Sequence, residues 1–365
     1  MSTPQPHLDT DDASPAVRLS VLDVGATDGH LPPARAVQEI AELAQVAEEC
    51  GFHRFWVAEH HGSPDLVSSA PPVLIAHIAA RTRHIRVGSG GVMLPHHAPY
   101  VVAEQFATLG ALHPGRIDLG LGRSSNTAGT PAYRAALETA LRRDARAMVE
   151  FPALIDELTE FLDPLDDPAR LPDNPALFLS PRVEAPAEVH VLGAGEGSAR
   201  TAAERSLPFV YGHHLGRSKC RPAAVERYRA AFVPGPRDAR PHLIASLNVL
   251  CAAGDDEAER RALHAARVSV RQRTGAAPQS SPPSAREDFL ARRFLEDQQV
   301  VYGDRDTVAR AVDQVAAILD ADEIMVVPFD LTGTERHRTL RTLTGHQGSA
   351  STHLAVAGVQ RPAHS

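Results

Sequence analysis

FWVAEHH, Phe55 to His61, is the stretch on which the reading of this chain turns. Phe55, Trp56 and Val57 form an apolar run that breaks at an acid and two adjacent imidazoles, Glu59, His60 and His61. A short, uniformly apolar strand is what a parallel sheet covered on both faces requires. Chemistry starting where such a strand stops is the pattern of an α/β barrel, whose sites lie at strand C-termini.

Outward from this stretch the same unit recurs. Leu19 to Val24 reads as a strand, and Ala34 to Glu49 carries Val37, Ile40, Leu43, Ala44 and Ala47 at helical spacing before Gly51. After FWVAEHH come a helix opening at Pro71-Pro72 and running to Arg83, a strand entering GSGG and VMLP, and a helix over Val101 to Leu112. Ile117 to Leu121 is the next strand, followed by the loop SSNTAGTP and an amphipathic helical region from Tyr133 to Leu162. Further strands begin near Val189, Pro208, Leu243 and Ile324, alternating with helices over Ser198 to Arg205, Pro222 to Phe232 and Asp255 to Arg271, one capped by Asp306 and ending near Leu319, and one near Glu335 to Leu343. Eight strands alternating with helices predict a single (β/α)8 TIM barrel over residues 18–345, with insertions after strands 4 and 7. An open doubly wound sheet is the structural alternative.

The insertions are the Pro- and Asp-rich run from Asp163 to Pro186 and the segment 275–300, whose Pro/Ser-rich part makes it a candidate mobile lid. Residues 1–17 and 346–365 read as disordered tails. The 37 basic and 45 acidic residues leave a net charge of −8 with no basic block, which argues against nucleic acid or an anionic membrane as partner. Cys50, Cys220 and Cys251 are odd in number and widely spaced, which suits a reducing cytoplasm. No signal peptide or membrane span is read.

On a barrel, Asp23, Glu59, His60, His61, Gly90, Gly91, Gly122, Arg123 and the loop Gly193 to Ser198 share the functional face. The glycine corner GAGEG, with Gly195, Gly197 and Ser198 opening a helix, can turn bare backbone N–H groups onto a phosphate, or be a plain turn. Arg123 can clamp the same phosphate with its planar fork, or form a surface ion pair. His60 suits proton transfer near neutral pH. The pairs His60-His61, His96-His97 and His213-His214 invite a metal, but adjacent residues on a strand face opposite ways, so each pair offers one inward ligand and no metal is expected.

The chain resembles the bacterial luciferase-like flavin monooxygenases, in SVLDV (Ser20 to Val24), FWVAEHH, RVGSGGVMLP (Arg86 to Pro95), AEQ (Ala103 to Gln105), GRIDLGLGR (Gly115 to Arg123), GEGSARTAAERSLP (Gly195 to Pro208) and DEIMVV (Asp322 to Val327). The resemblance spans nearly the whole barrel. It implies that FMN, as FMNH2, binds at the strand C-termini and reacts with O2 as co-substrate, giving a flavin C4a-peroxide that oxygenates an organic substrate. It makes His60 the active-site histidine with Glu59 in support, Arg123 the phosphate-binding arginine, Gly197 and Ser198 the phosphate loop, and Gly90-Gly91 a non-prolyl cis peptide against the flavin ring. Asp23 and Gly195 complete the cofactor set expected at the strand ends. It also implies a separate NAD(P)H:flavin reductase and a homodimer, with Glu104 near the subunit interface. The motif style is closest to the branch tied to aromatic polyketide pathways, which points to a secondary-metabolite substrate. Gly122 stands where luciferase has a reactive cysteine, and His97-Ala98-Pro99 replaces the usual His-Pro, so long-chain aldehyde light emission is not expected.

Competing readings on the same barrel are a deazaflavin (F420)-dependent hydride-transfer oxidoreductase and a non-catalytic flavin-binding protein. A metallohydrolase is a further alternative.

Overall fold

Eight parallel strands close into a ring in which each sequence repeat supplies one stave. The computed structural model describes residues 17–27, 31–63, 65–123, 130–142, 145–162, 179–274 and 283–346. The ring strands are β1 (Arg18–Asp23), β2 (Arg54–Val57), β3 (Arg86–Met93), β4 (Ile117–Gly122), β5 (Glu188–Gly193), β6 (Phe209–Tyr211), β7 (Leu243–Cys251) and, after the three-residue β8 (Val301–Gly303), β9 (Glu323–Pro328). β9 pairs with both β7 and β1, closing the ring, while β8 pairs only with the overhanging end of β7, Val249 to Cys251. The open-sheet alternative is thereby excluded.

Strand alternation separates two apolar layers. Phe55 and Val57 point outward into the main core, against helices α1 (Pro33–Glu49) and α2 (Pro71–Arg81) among others. Trp56 points into the lumen, where Leu22, Val210, Ile244, Met325 and Val327 meet it. α1 needs no side-chain cap, because Pro33 follows Pro32 and fixes its first turn, and Gly51 lets the chain leave it at φ +77°.

Below the apolar lumen the barrel floor is ionic. Arg54, 4% exposed at its side chain, donates from Nη1 to Asp118 Oδ2 at 2.9 Å and Glu188 Oε2 at 3.0 Å, and from Nε to Glu323 Oε2 at 3.2 Å. Ser20 Oγ donates to Glu323 and accepts from the Arg54 backbone N–H, while Trp56 Nε1 donates to Asp118 at 2.9 Å. Five strands are thus tied across the ring beneath the site.

Some sequence expectations move. The region Tyr133 to Leu162 is two helices, α4 (Pro131–Ala140) and α5 (Phe151–Leu162), not one. The helix expected to be capped by Asp306 is α10 (Arg305–Leu319), and its cap is Asp304, which accepts from Thr307 N at 2.8 Å; Asp306 lies inside the first turn. β8 was not expected. Between β7 and β8 lie α8 (Asp255–Thr274) and α9 (Ala285–Asp297), the latter closed by a full Ser284/Glu287 capping box. The intervening 275–282, most of the 163–186 loop, and residues 1–16 and 347–365 lie outside the described residues. The three cysteines are free, and among the described residues no helix is long and apolar enough to cross a membrane.

Candidate active site

A cavity of about 260 Å³ opens above the lumen at the strand C-termini. Its wall brings together Glu59, His60, Gly90, Gly91, Arg123, Gly195, Gly197 and Ser198, eight of the nine residues expected from sequence to serve catalysis or cofactor binding. Asp23 is the ninth and is not in the wall. Its carboxylate is taken by Arg336 at 3.0 and 3.2 Å and by the Gly25 backbone N–H at 2.9 Å, which fixes the end of β1 to α11 (Gly333–Thr344). A strand-end acid 3% exposed is here an internal ion pair.

The Gly90-Gly91 peptide is cis, and β3 slips register against β4 between Gly90 and Val92. A Cβ on Gly91 would stand 2.7 Å from Gly120 O and 3.0 Å from Gly122 N, both backbone, so only glycine lets β3 lie this close to β4. The cavity wall on this side is therefore bare main chain.

At the other end, α6 (Glu196–Glu204) starts beside the cavity at Gly195 with no side-chain cap, and among the described residues its first-turn N–H groups have no side-chain partner. Ser198 packs onto Gly193, where a Cβ would come within 2.4 Å of its Oγ. Arg123 Nη1 lies 3.9 Å from the position a Gly197 Cβ would take, and among the described residues Arg123 has no acidic partner. An exposed cation beside open helix N–H groups is the donor set a phosphate needs.

His60 is half-buried in the wall. Its backbone N–H donates to Ser68 O at 2.8 Å, its imidazole hydrogen-bonds the Val24 backbone, and Nδ1 has no partner among the described residues. Burial pushes its pKa below the ordinary histidine value, so the ring is neutral at neutral pH.

Glu59 gathers what the sequence left scattered. Its Oε1 lies 2.7 Å from His61 Nε2, 2.8 Å from His97 Nε2 and 3.9 Å from His96 Nδ1, and its Oε2 accepts the Met93 N–H at 3.1 Å. Burial alone would push this carboxyl up, but the imidazoles of His61, His96 and His97 outweigh it and hold Glu59 well below the usual carboxylate range. Ligand atoms of Glu59, His61 and His96 lie within 4.8 Å of one another, a grouping compatible with a metal ion.

His214, Ser246, Leu22, Val24, Leu192 and Val210 also line the cavity, and sequence reasoning assigns none of them to a cofactor or catalytic role. For His214 the signal existed, a histidine pair just past a strand, but it was weighed only as a metal ligand. The apolar residues carried none, because a lumen-facing Leu and a core Leu look alike in sequence.

The chain matches the luciferase-like monooxygenase family over residues 17–322. Over 319 residues it is 34% identical to a luciferase-like monooxygenase of Escherichia coli, covering 85% of this chain and 91% of that one. Over 302 residues it is 34% identical to the N-acetyl-S-alkylcysteine monooxygenase of Bacillus subtilis, covering 82% and 87%. Among solved structures, apo-MsnO8 superposes with a TM-score of 0.76 at 34% identity, covering 90% of this chain and 98% of that one. More distant likenesses, of fold alone, include the FMN complex of the oxygenating constituent of 3,6-diketocamphane monooxygenase (TM-score 0.61, 18% identity, 90% and 96% covered). An F420-dependent secondary alcohol dehydrogenase has the same TM-score, 0.61, at 12% identity, covering 91% and 99%.

Proposed function

We propose, from the premise that this chain belongs to the luciferase-like monooxygenase family, that it is a two-component monooxygenase using FMNH2 and O2. The observation that carries the cofactor is the single cavity joining Arg123 and the free α6 N-terminus at one end to His60 and the bare Gly90-Gly91 wall at the other. Phosphate-binding and ring-binding chemistry thus face one another across one space.

Arg123 and the N–H groups of Gly197 and Ser198 would hold the FMN phosphate, and the main chain at Gly90-Gly91 would face its ring. Bound FMN, when reduced, supplies the electrons that activate O2. His60, neutral and with a free Nδ1, can accept a proton at the ring end. Leu22, Val24, Leu192 and Val210 keep that end apolar and exclude water. A separate flavin reductase supplies FMNH2 in this reading, in line with the name of the diketocamphane relative as an oxygenating constituent. The motif style supports a secondary-metabolite substrate of aromatic polyketide type. Exposed Val73, Val101 and Leu112 on α2 and on α3 (Pro99–Leu112), the helix that carries Glu104, support a homodimer through that face.

Arg123→Ala is expected to weaken FMN binding by about 1.5–3 kcal/mol, roughly 10- to 150-fold, with the fold intact. Fluorescence titration reads this directly. Unchanged affinity would place the phosphate elsewhere, and tighter binding of a deazaflavin, with no oxygen uptake on adding FMNH2, would favour the hydride-transfer alternative.

We read the Glu59 cluster as hydrogen-bonded, without metal. Ligands of a tetrahedral zinc at about 2.0–2.2 Å sit roughly 3.3 Å apart, whereas His61 and His97 are at 2.7 and 2.8 Å from Glu59, direct hydrogen-bond distances. Elemental analysis of the purified protein should return no stoichiometric metal; one equivalent of zinc would reverse the assignment.

A further inference from the structure

The second histidine of the cavity is held differently from His60, and how it is held fixes what it can bind. β6 ends at Tyr211, and after Gly212 a 3-10 turn, His213–Leu215, places the His214 ring in the cavity wall. His214 Nδ1 lies 2.6 Å from Ser246 Oγ, and Ser246 Oγ donates to the Tyr211 carbonyl at 3.1 Å. The backbone is fixed too, because Asn248 Nδ2 donates to His214 O and to Gln298 O, each at 2.8 Å.

A hydroxyl has one proton, and a carbonyl can only accept. With the Ser246 proton on Tyr211 O, the Ser246 oxygen can only accept from His214, so the ring proton sits on Nδ1. Nε2 then carries a bare lone pair. The ring does not escape by protonating: burial, reinforced by His60, His213 and Lys219, pushes its pKa down to about 3. Ser246 is 1% exposed, so water does not compete for the relay.

We propose that His214 is an obligate hydrogen-bond acceptor in this cavity, held so by Ser246, and that it makes the site prefer reduced over oxidised flavin. The inference rests on the flavin reading above. Reduced flavin carries an N–H at N5, where oxidised flavin has a lone pair. A fixed acceptor gains a hydrogen bond from the first and faces lone-pair repulsion from the second, which is how a buried polar group discriminates. His214 is assigned a binding role, and Ser246 a positioning role through it.

The test is anaerobic titration of the full-length protein with FMN and with FMNH2, giving the ratio of the two Kd values. In wild type FMNH2 should bind more tightly. His214→Leu should cut that preference by about tenfold, mostly by weakening FMNH2. Ser246→Ala, which lets the ring proton move to Nε2, should cut it in the same direction, and Ser246→Thr should restore it. Should His214→Leu not fold, the serine pair carries the test. Nitrogen-15 spectra of the ligand-free protein should show His214 with a protonated Nδ1 and an unprotonated Nε2. Equal weakening of both flavin forms, or a protonated Nε2, would overturn the inference while leaving the flavin site standing. Binding of neither form by wild type would instead overturn the flavin reading, and the inference with it.

Discussion

Arg54→Ala is expected to lower stability by about 3–5 kcal/mol, enough to leave little folded protein at 37 °C. Three carboxylates converge on this guanidinium, and Asp118 and Glu323 are fully buried. Burial opposes the arginine charge, yet Asp118, Glu323 and Glu188 hold it more firmly than an ordinary arginine. In turn Glu188, which burial alone would push up, is brought down to about 2 by His190, Arg54 and Arg86. Removing the cation leaves buried Glu323 without an ion-pair partner among the described residues, and Asp118 and Glu188 with the half-buried Arg86 and, for Glu188, His190 at 4.0 Å. Urea denaturation with soluble yield reads the loss. Arg54→Met should fail as badly, because filling the volume leaves the charges bare, whereas Arg54→Met combined with Asp118→Asn and Glu323→Gln should recover part of it. A single Arg54→Ala protein with wild-type denaturation midpoint would show that the floor network is not structural.

Glu59→Ala is expected to cost about 3 kcal/mol or more and to abolish flavin binding with it. Two imidazoles and the Met93 N–H lose a charged acceptor at once, each such bond being worth about 1.5–3 kcal/mol. Glu59 and His60 adjoin in the cavity wall, so loosening this knot also frees the ring end of the site. Glu59→Gln should be far milder, about 1 kcal/mol, because its carbonyl can keep Met93 while its amide still faces the two imidazole nitrogens. The two variants share a pH signature. The Glu59 pKa is depressed from 4.5 in the folded state, so its contribution is present above about pH 4.5 and lost as pH falls toward the folded value. Both variants should flatten the acid limb of the stability profile there. An acid limb as steep as wild type would mean that another carboxylate sets it.

Strand ends were legible because a parallel barrel writes each strand as an apolar run bounded by glycine, acid or imidazole. FWVAEHH gave its own address, and the GAGEG corner and Arg123 gave theirs. Legibility stopped where chemistry depends on convergence between staves. Nothing in FWVAEHH says that Glu59 reaches His97 across the mouth of β3, and nothing in HLIASLNVL says that Ser246 meets His214. Asp23 was not separable by sequence, because a strand-end acid reads the same whether it faces a ligand or an arginine 313 residues away. Asp304 and Asp306 are both plausible caps by residue type, and only the backbone angles separate them. β8, three residues long, is too short to show a period.

The pairing of β8 with the overhang of β7 has a consequence for how this protein could diversify. The chain leaves the ring at Cys251 and re-enters through Gly303, whose carbonyl accepts the Ala252 N–H at 3.0 Å, so both stems of the excursion are clasped at one point. What lies beyond has its own small apolar nucleus, with Leu250, Ala258, Ala262, Ala266, Ala291 and Leu295 in contact, and its own ion pairs between α8 and α9. The excursion is in effect a cassette plugged into a closed socket. Evolution, or an engineer, can exchange its outer part as a block, provided Gln298, whose carbonyl shares Asn248 with His214, is kept, and so change what reaches the cavity without rebuilding the ring.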